Sequence, residues 1–306
     1  MRSRIESIVE ELKRLRKNGQ ETVYVSEGSL RGLKLATTTM VAAQSEKEAE
    51  TAVAAIPERI RSATPEEFDR ILREDPKSEK PVKQSGGTAL GKPAPFTLPV
   101  GDKLERWEAL REIVLNCPTC KKNVREGYKI VFGVGNVDAD IFFCGEAPGA
   151  DEEEQGEPFV GKAGQLLDKM IKAMGLSRDQ VYIGNIMNWR PQLPTRVGNR
   201  PPTRDEIEFC LPYLKAQVDV VKPKLIVALG ATAAKGLLGQ GAFRSLREIK
   251  GEWKEFEGTP VLATYHPSYL LRNDSKRDKR SAWEDLLKVM ERCGLPISER
   301  QRGYFL

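Results

Sequence analysis

Four short apolar runs, spaced along the last two-thirds of the chain, limit the folds open to it. They are "DIFFC" (Asp140 to Cys144), "VYIGNI" (Val181 to Ile186), "LIVAL" (Leu225 to Leu229) and "PVLATY" (Pro260 to Tyr265). Bounded runs of this kind read as strands. Between them, helical patterns cover Ala163 to Met174, Thr203 to Val221 and Ala231 to Leu238. One more helix is expected before them at Lys103 to Leu115, and one after them at Ser281 to Arg292. Strands alternating with helices imply βαβ units and a parallel sheet covered on both faces, an α/β fold. In such sheets ligands bind at the carboxyl ends of the strands, so the segments following these four strands should converge on one cleft.

The first third is organised differently. Ile5, Ile8, Val9, Leu12 and Leu15 keep helical spacing, so a short amphipathic helix is expected there. From Gly28 to Leu98 the pattern weakens, with a short helix expected near Thr64 to Arg73. "KSEKPVKQSGGTALGKPAPFTLP" (Lys77 to Pro99) reads as a flexible linker. The expected division is therefore an N-terminal helix and linker over 1–102 and one catalytic domain over 103–306. No apolar run reaches the ~18 residues of a membrane span, and the N-terminus lacks the apolar core of a signal peptide. Five cysteines in 306 residues are too few for a disulfide scaffold, so a reducing, cytoplasmic location is expected. There the pair Cys117-Pro-Thr-Cys120 reads as metal-binding, redox-active or incidental. A net charge of +5 permits an anionic partner such as nucleic acid without requiring one.

The strand-end segments hold the candidate chemistry. His266 is the only histidine and directly follows the fourth strand, ahead of Pro267. A lone imidazole is often structural, but its place at a strand's carboxyl end favours a functional role equally. No G-x-S-x-G elbow accompanies it, which weighs against a serine hydrolase. The loop "GEAPGADEEEQGEPFVGKAG" offers backbone N–H groups, five carboxylates from Glu146 to Glu154, and Phe159, either a core residue or a platform for a planar ligand. Asn185 presents a donor and an acceptor side by side, or caps a turn. Arg190, Arg196, Arg200 and Arg204 form one basic segment, and Arg272, Lys276, Arg277, Lys279 and Arg280 another. Two basic segments flanking one cleft suit a phosphate backbone.

Taken together, "GEAPGADEEEQGEPFVGKAGQLL", "VYIGNIMNWRP", "NRPPTRDEIEFCLPYL" and "HPSYLLR" closely resemble the family 4 uracil-DNA glycosylases, the iron–sulfur branch of that superfamily, from about Lys103 to Leu295. The resemblance implies a three-layer α/β/α fold with a four-stranded parallel sheet. It also implies hydrolysis of the N-glycosidic bond of deoxyuridine in DNA by a monomer, with the N-terminal helix available to a repair partner. Phe159 would stack on the flipped base, with Gly145 and Ala147 lining its pocket. Asn185 would read uracil N3–H and O4, and His266 would donate to O2. Where some relatives carry an aspartate, this chain has Ala147, so the carboxylate near the sugar falls to Glu152, for positioning water, or to Glu146, the better candidate for a loop organiser. Ser268, Leu270, Leu271 and Arg272 would meet the DNA, the leucines filling the gap left in the stack.

The same resemblance bears on Cys117 and Cys120. In the family four cysteines hold a [4Fe–4S] cluster; Cys117, Cys120 and Cys210 match three of those positions and Trp189 occupies the fourth. Cys144 and Cys293 do not match it. Either the cluster is lost and Trp189 packs in its space, or three cysteines hold a cluster completed by another ligand. A covalent uracil trap would need a second histidine, and a silent DNA-binding relative would have no reason to keep Phe159, Asn185 and His266 together.

Overall fold

The computed structural model describes residues 90–192 and 199–306, all within the compact unit Gly86–Leu306. The helices expected near 5–15 and 64–73, and the linker as far as residue 89, lie outside the described residues. In chain order the elements are α1 (Lys103–Asn116), α2 (Pro118–Asn123), β1 (Val134–Gly135), β2 (Ile141–Gly145), α3 (Ala150–Gln155), α4 (Lys162–Ala173), β3 (Tyr182–Asn185), α5 (Arg204–Val221), β4 (Leu225–Leu229), α6 (Ala231–Leu238), β5 (Trp253–Phe256), β6 (Thr259–Thr264), α7 (Pro267–Arg272), α8 (Lys276–Arg292) and α9 (Glu299–Arg302).

The strands form one six-stranded sheet in the order β1-β3-β2-β4-β6-β5. Its four central strands are parallel, as expected, but β1 and β5 add antiparallel edges, so the sheet is mixed and not four-stranded. Both additions escape pattern reading for a physical reason. β1 has two residues, and β5 carries a mostly exposed, charged face at the sheet's edge. A tight hairpin makes β5: Phe256 pairs with Thr259 across Glu257 and Gly258, both with positive φ (48° and 76°), as a two-residue type I′ turn demands.

Alternate strand residues feed two cores. Phe142, Cys144, Tyr182, Ile226, Ala228, Val261 and Ala263 pack with α1, α5 and α6. Ile141, Phe143, Ile183, Leu225, Val227, Leu229 and Leu262 pack with α4, α7 and α8. This is the period-2 alternation of a strand covered on both faces. The segment before α1 is not detached from this body: Leu90, Phe96 and Leu98 pack on the first core, and Phe96 stacks on Tyr213 at 5.4 Å. α8 begins five residues earlier than its apolar pattern suggests, because Ser275 caps it by accepting from the Asp278 amide at 3.2 Å.

α8 is fastened to the sheet next to the strand end that matters most. The Lys250 ammonium lies 2.7 Å from Asp285 Oδ2, both side chains nearly buried, and donates to Ser281 Oγ at 2.7 Å. Thr264, the last residue of β6, donates to the same Asp285 oxygen at 2.6 Å. The chain leaving β6 toward His266 is thus anchored two residues before the imidazole. Removing the cation alone would strand a buried carboxylate, which typically costs about 3–5 kcal/mol. Urea unfolding of Lys250→Met should show a loss of that order, and the double variant with Asp285→Asn should recover part of it. Equal stability of wild type and Lys250→Met would contradict this anchoring.

Candidate active site

The chain runs from β2 to β3 on one side and then crosses back over β2 to reach β4, so the strand order reverses beside β2. The crevice at such a reversal opens at the strands' carboxyl ends. A cavity of about 240 Å³ lies there, lined among others by Ala147, Asp151, Phe159, Asn185, His266 and Arg272. Three of the residues singled out in the sequence therefore meet in one place, each delivered by a different strand end. A larger depression of about 860 Å³, beside Trp107, Tyr128 and Phe132, lies away from these strand ends and collects none of those residues.

Register explains how closely the three approach. Gly145, ending β2, pairs directly with Asn185, ending β3. A Cβ at Gly145 would fall 2.3 Å from Asn185 Oδ1 and 2.5 Å from Phe159 Cζ. Only glycine permits the carboxamide and the ring to close over this strand end. Asn185 is buried, and its Oδ1 accepts no hydrogen bond among the described residues. A buried acceptor without a partner costs roughly 1–3 kcal/mol, so it marks a place where a ligand can donate.

Phe159 is held in a backbone conformation that a bulky residue avoids, φ 54°. Its neighbours dictate this. The Arg178 guanidinium donates to the Phe159 carbonyl at 3.0 Å, to the Pro158 carbonyl and to Asp168 at 2.9 Å. Gly164 admits the Phe159 carbonyl against α4, where a Cβ would be 1.9 Å from that oxygen. The ring ends 5.8 Å from the His266 imidazole, tilted by 32°.

His266 caps α7. Its Nδ1 accepts from the Ser268 backbone N–H at 3.1 Å and lies 2.8 Å from Ser268 Oγ. A backbone amide can only donate, so the neutral ring carries its proton on Nε2. Burial, and secondarily the nearby Arg272 charge, pull the imidazole down to about 4, so it stays neutral at physiological pH. The site therefore offers one neutral N–H donor.

The carboxylates divide by their partners. Glu152 Oε2 accepts from Gly149 N (2.9 Å), and Oε1 accepts from Val160 N and Gly161 N (3.0 Å each). Both oxygens therefore hold the ends of the loop together, the organising part expected of Glu146. Glu146 itself does not line the cavity; burial raises its carboxyl above the usual range, against a hydrogen bond with Thr232. Glu153 is buried in ion pairs with Arg125 and with Arg190, the latter at 2.7 Å. Asp151 lines the cavity, is exposed and engages no hydrogen bond or ion pair among the described residues.

The sequence has known relatives. The model of the uracil DNA glycosylase superfamily matches residues 132–287. The chain is 39% identical to the type-4 uracil-DNA glycosylase of Thermotoga maritima over 188 residues, which is 60% of this chain and 93% of that protein. It is likewise 39% identical to the type-4 uracil-DNA glycosylase of Archaeoglobus fulgidus over 197 residues, 61% of this chain and 94% of that one. Identity to the type-5 uracil-DNA glycosylase of Pyrobaculum aerophilum is 31% over 174 residues, 52% of this chain and 73% of the relative. The chain belongs to the uracil DNA glycosylase superfamily.

Within this superfamily member the outer residues sort less simply than their sequence suggests. Leu270 is a core residue, 5% exposed, whereas Leu271 beside it is 49% exposed, so of the two only Leu271 presents its side chain to solvent. Arg272 lines the cavity and reaches Ser268 Oγ at 3.4 Å. The first basic segment is largely committed inward: Arg190 to Glu153, Arg200 to both oxygens of Glu206 at 2.6 and 2.7 Å, and Arg204 to Glu208 at 2.6 Å. Arg196 lies outside the described residues. In the second segment, Arg280 binds the carbonyls of Arg302 and Tyr304, and Lys276 that of Leu306. The Arg204–Glu208 pair has the i,i+4 spacing of one helix face and Arg200 meets a nearby glutamate, whereas Glu153 and the C-terminal carbonyls come from elsewhere in the fold.

The cysteine-lined site sits in the other core, with α1 and α5. Cys117, Cys120 and Cys210 are buried neighbours: the Cys120 amide meets Cys117 Sγ at 3.5 Å, and Tyr213 lies beside the Cys117 thiol. Trp189 is fully buried beside them, with its ring 5.8 Å from Phe209. The family's cluster takes four thiolates. Here the fourth place holds an indole whose only polar atom is an N–H donor, and that N–H finds no acceptor among the described residues. Among the described residues, no three such side chains converge as metal ligands. The donor set does not fit the cluster.

The histidine is unique, so proton NMR can follow its ring without assignment. The folded pKa lies below the unfolded value of about 6.5, so the neutral ring's contribution to stability is complete above that pH and fades as pH falls toward 4. The imidazole resonance should stay constant from about pH 8 to 5 and move only below. A titration midpoint near 6.5 would contradict the buried, neutral assignment.

Proposed function

We propose that this chain is a uracil-DNA glycosylase: it hydrolyses the N-glycosidic bond of deoxyuridine in DNA, releases uracil and leaves an abasic site for base excision repair. One observation carries the reading: Asn185, whose buried Oδ1 has no partner among the described residues, lines the same cavity as Phe159 and His266. Membership of the superfamily and the likeness to type-4 proteins support it.

The target base lies inside the duplex and must be turned out of the stack, at a cost of a few kcal/mol. Leu271 and Arg272 occupy the gap and the adjoining backbone. The extruded uracil stacks on Phe159. Its N3–H donates to Asn185 Oδ1, and the Asn185 amide donates to O4. Cytosine presents an acceptor at N3 and a donor at C4, so both hydrogen bonds fail and the buried carboxamide stays unpaired; this filter is stronger than shape. As the glycosidic bond breaks, electrons flow onto the base and charge collects on O2. The neutral His266 Nε2–H donates to that oxygen, an interaction that strengthens as the charge develops.

The sugar becomes oxocarbenium-like and needs an anion and a water. Glu152 serves this step only indirectly, through the loop that its carboxylate ties. Asp151, on the same cavity and engaged by no other described side chain, holds the water and faces the sugar's positive charge. No step passes through the cysteine-lined core, which lies across the sheet from the residues that pack with Phe159.

Incubation with an oligonucleotide bearing one uracil, followed by alkali, should cut the strand at that position and leave a thymine control intact. His266→Ala should lower the single-turnover rate by about 10²–10³-fold. Asn185→Asp should abolish most uracil release, since a carboxylate repels O4. Asp151→Asn should slow the reaction without loosening the fold, whereas Glu152→Gln should also lower the melting temperature. No strand cleavage with uracil opposite adenine, opposite guanine or in single strands would exclude the glycosylase reading.

A further inference from the structure

The fourth place of the cysteine site holds a residue that cannot ligate iron, and aromatic rings and thiols pack around it although its N–H has no acceptor among the described residues. Trp189 lies in the turn after β3, and Asn188 before it bonds the Cys210 thiol through its backbone. The indole thus stands where chain and thiol already touch. From it a series of aromatic rings runs around the thiols: Trp189 to Phe209 at 5.8 Å, Phe209 to Tyr213 at 6.2 Å, and Tyr213 to Phe96 at 5.4 Å. All but Phe96 are buried. The Cys117 sulfur accepts from the Cys120 amide at 3.5 Å, so one thiol already has a protein partner. The rings and thiols connect α2, the turn after β3, α5 and the segment before α1, four pieces of chain distant in sequence.

We propose that this member of the superfamily has exchanged its iron–sulfur cluster for a packed aromatic and thiol core, with Trp189 as the residue that excludes the cluster. The physical case is one of donors and volume. A cubane with one unprotected iron needs a lone pair or a water-sized opening at its fourth corner. Trp189 offers neither: its N–H points a hydrogen outward, and its ring is fully buried in contact with neighbouring side chains. The three cysteines then act as small apolar residues, the ordinary behaviour of buried free thiols. The cross-links that a cluster would supply among distant segments are supplied by the ring contacts among Trp189, Phe209, Tyr213 and Phe96.

The test is compositional and independent of uracil release. Full-length protein purified without oxygen should contain background iron and acid-labile sulfide, and lack the broad visible absorbance of sulfide-to-iron charge transfer. Its melting temperature should not change on treatment with ferricyanide and EDTA. Trp189→Cys, restoring four thiols, should take up about four iron and four sulfide per chain on reconstitution. Trp189→Phe, keeping an aromatic ring, should remain iron-free with its melting temperature nearly unchanged. Stoichiometric iron and sulfide in the wild-type protein would overturn the proposal whatever the variants do. A folded Trp189→Cys protein that still refuses iron would overturn the assignment of Trp189 as the excluding residue.

Discussion

The site depends on a missing methyl group. β2 ends at Gly145 directly opposite Asn185 on β3, and a Cβ there would collide with both the Asn185 carboxamide and the Phe159 ring. With no side chain at 145, a hydrogen-bonding plane and a stacking plane can face the same cavity. The remaining features keep that arrangement from relaxing. Arg178 and Gly164 fix Phe159 in left-handed backbone, and Glu152 ties three amides of the loop that carries it. The strain at Phe159 persists because the surrounding contacts over-determine it, the condition under which strained residues survive at functional sites.

Across the cleft a second set of contacts performs the same service for His266. Thr264, Asp285 and Lys250 anchor the end of β6, and the Ser268 amide fixes the imidazole's tautomer. Holding a donor in advance is how an enzyme avoids reorganising at the moment of reaction. A neutral ring suits this use: it gives a hydrogen bond to developing charge without binding the ground state as an ion would. The two halves of the site thus hang from different strands, and the parallel sheet sets the distance between them.

Much of this was legible in the chain itself. The four central strands announce themselves as apolar runs because both their faces are buried, and their carboxyl ends locate Asn185 and His266. The edge strands were not legible, because β1 is two residues long and β5 leaves its charged residues in solvent. Roles that depend on partners were misjudged for the same reason. Glu152, expected to position water, lines the cavity but also carries three backbone amides, and Leu270, expected to fill the gap in the stack, is turned into the core by α7. Arg190 and Arg200 read as a phosphate-facing stripe, yet Arg190 meets Glu153, which only the fold brings near, and Arg200 turns onto Glu206 at the start of α5. Trp189 was conspicuous as a departure from the family pattern, but its aromatic neighbours became visible only when α5 and the segment before α1 closed around it.

The central claim is geometric: a free acceptor on Asn185 and a neutral donor on His266 read neighbouring polar groups of one ring stacked on Phe159. A crystal structure of the protein with uracil, or with a uracil-containing product DNA, measures this most directly. The account predicts N3 within hydrogen-bond distance of Asn185 Oδ1, O2 within the same reach of His266 Nε2, and the ring parallel to Phe159. Uracil bound elsewhere, or bound here with His266 Nδ1 turned toward it, would contradict the account.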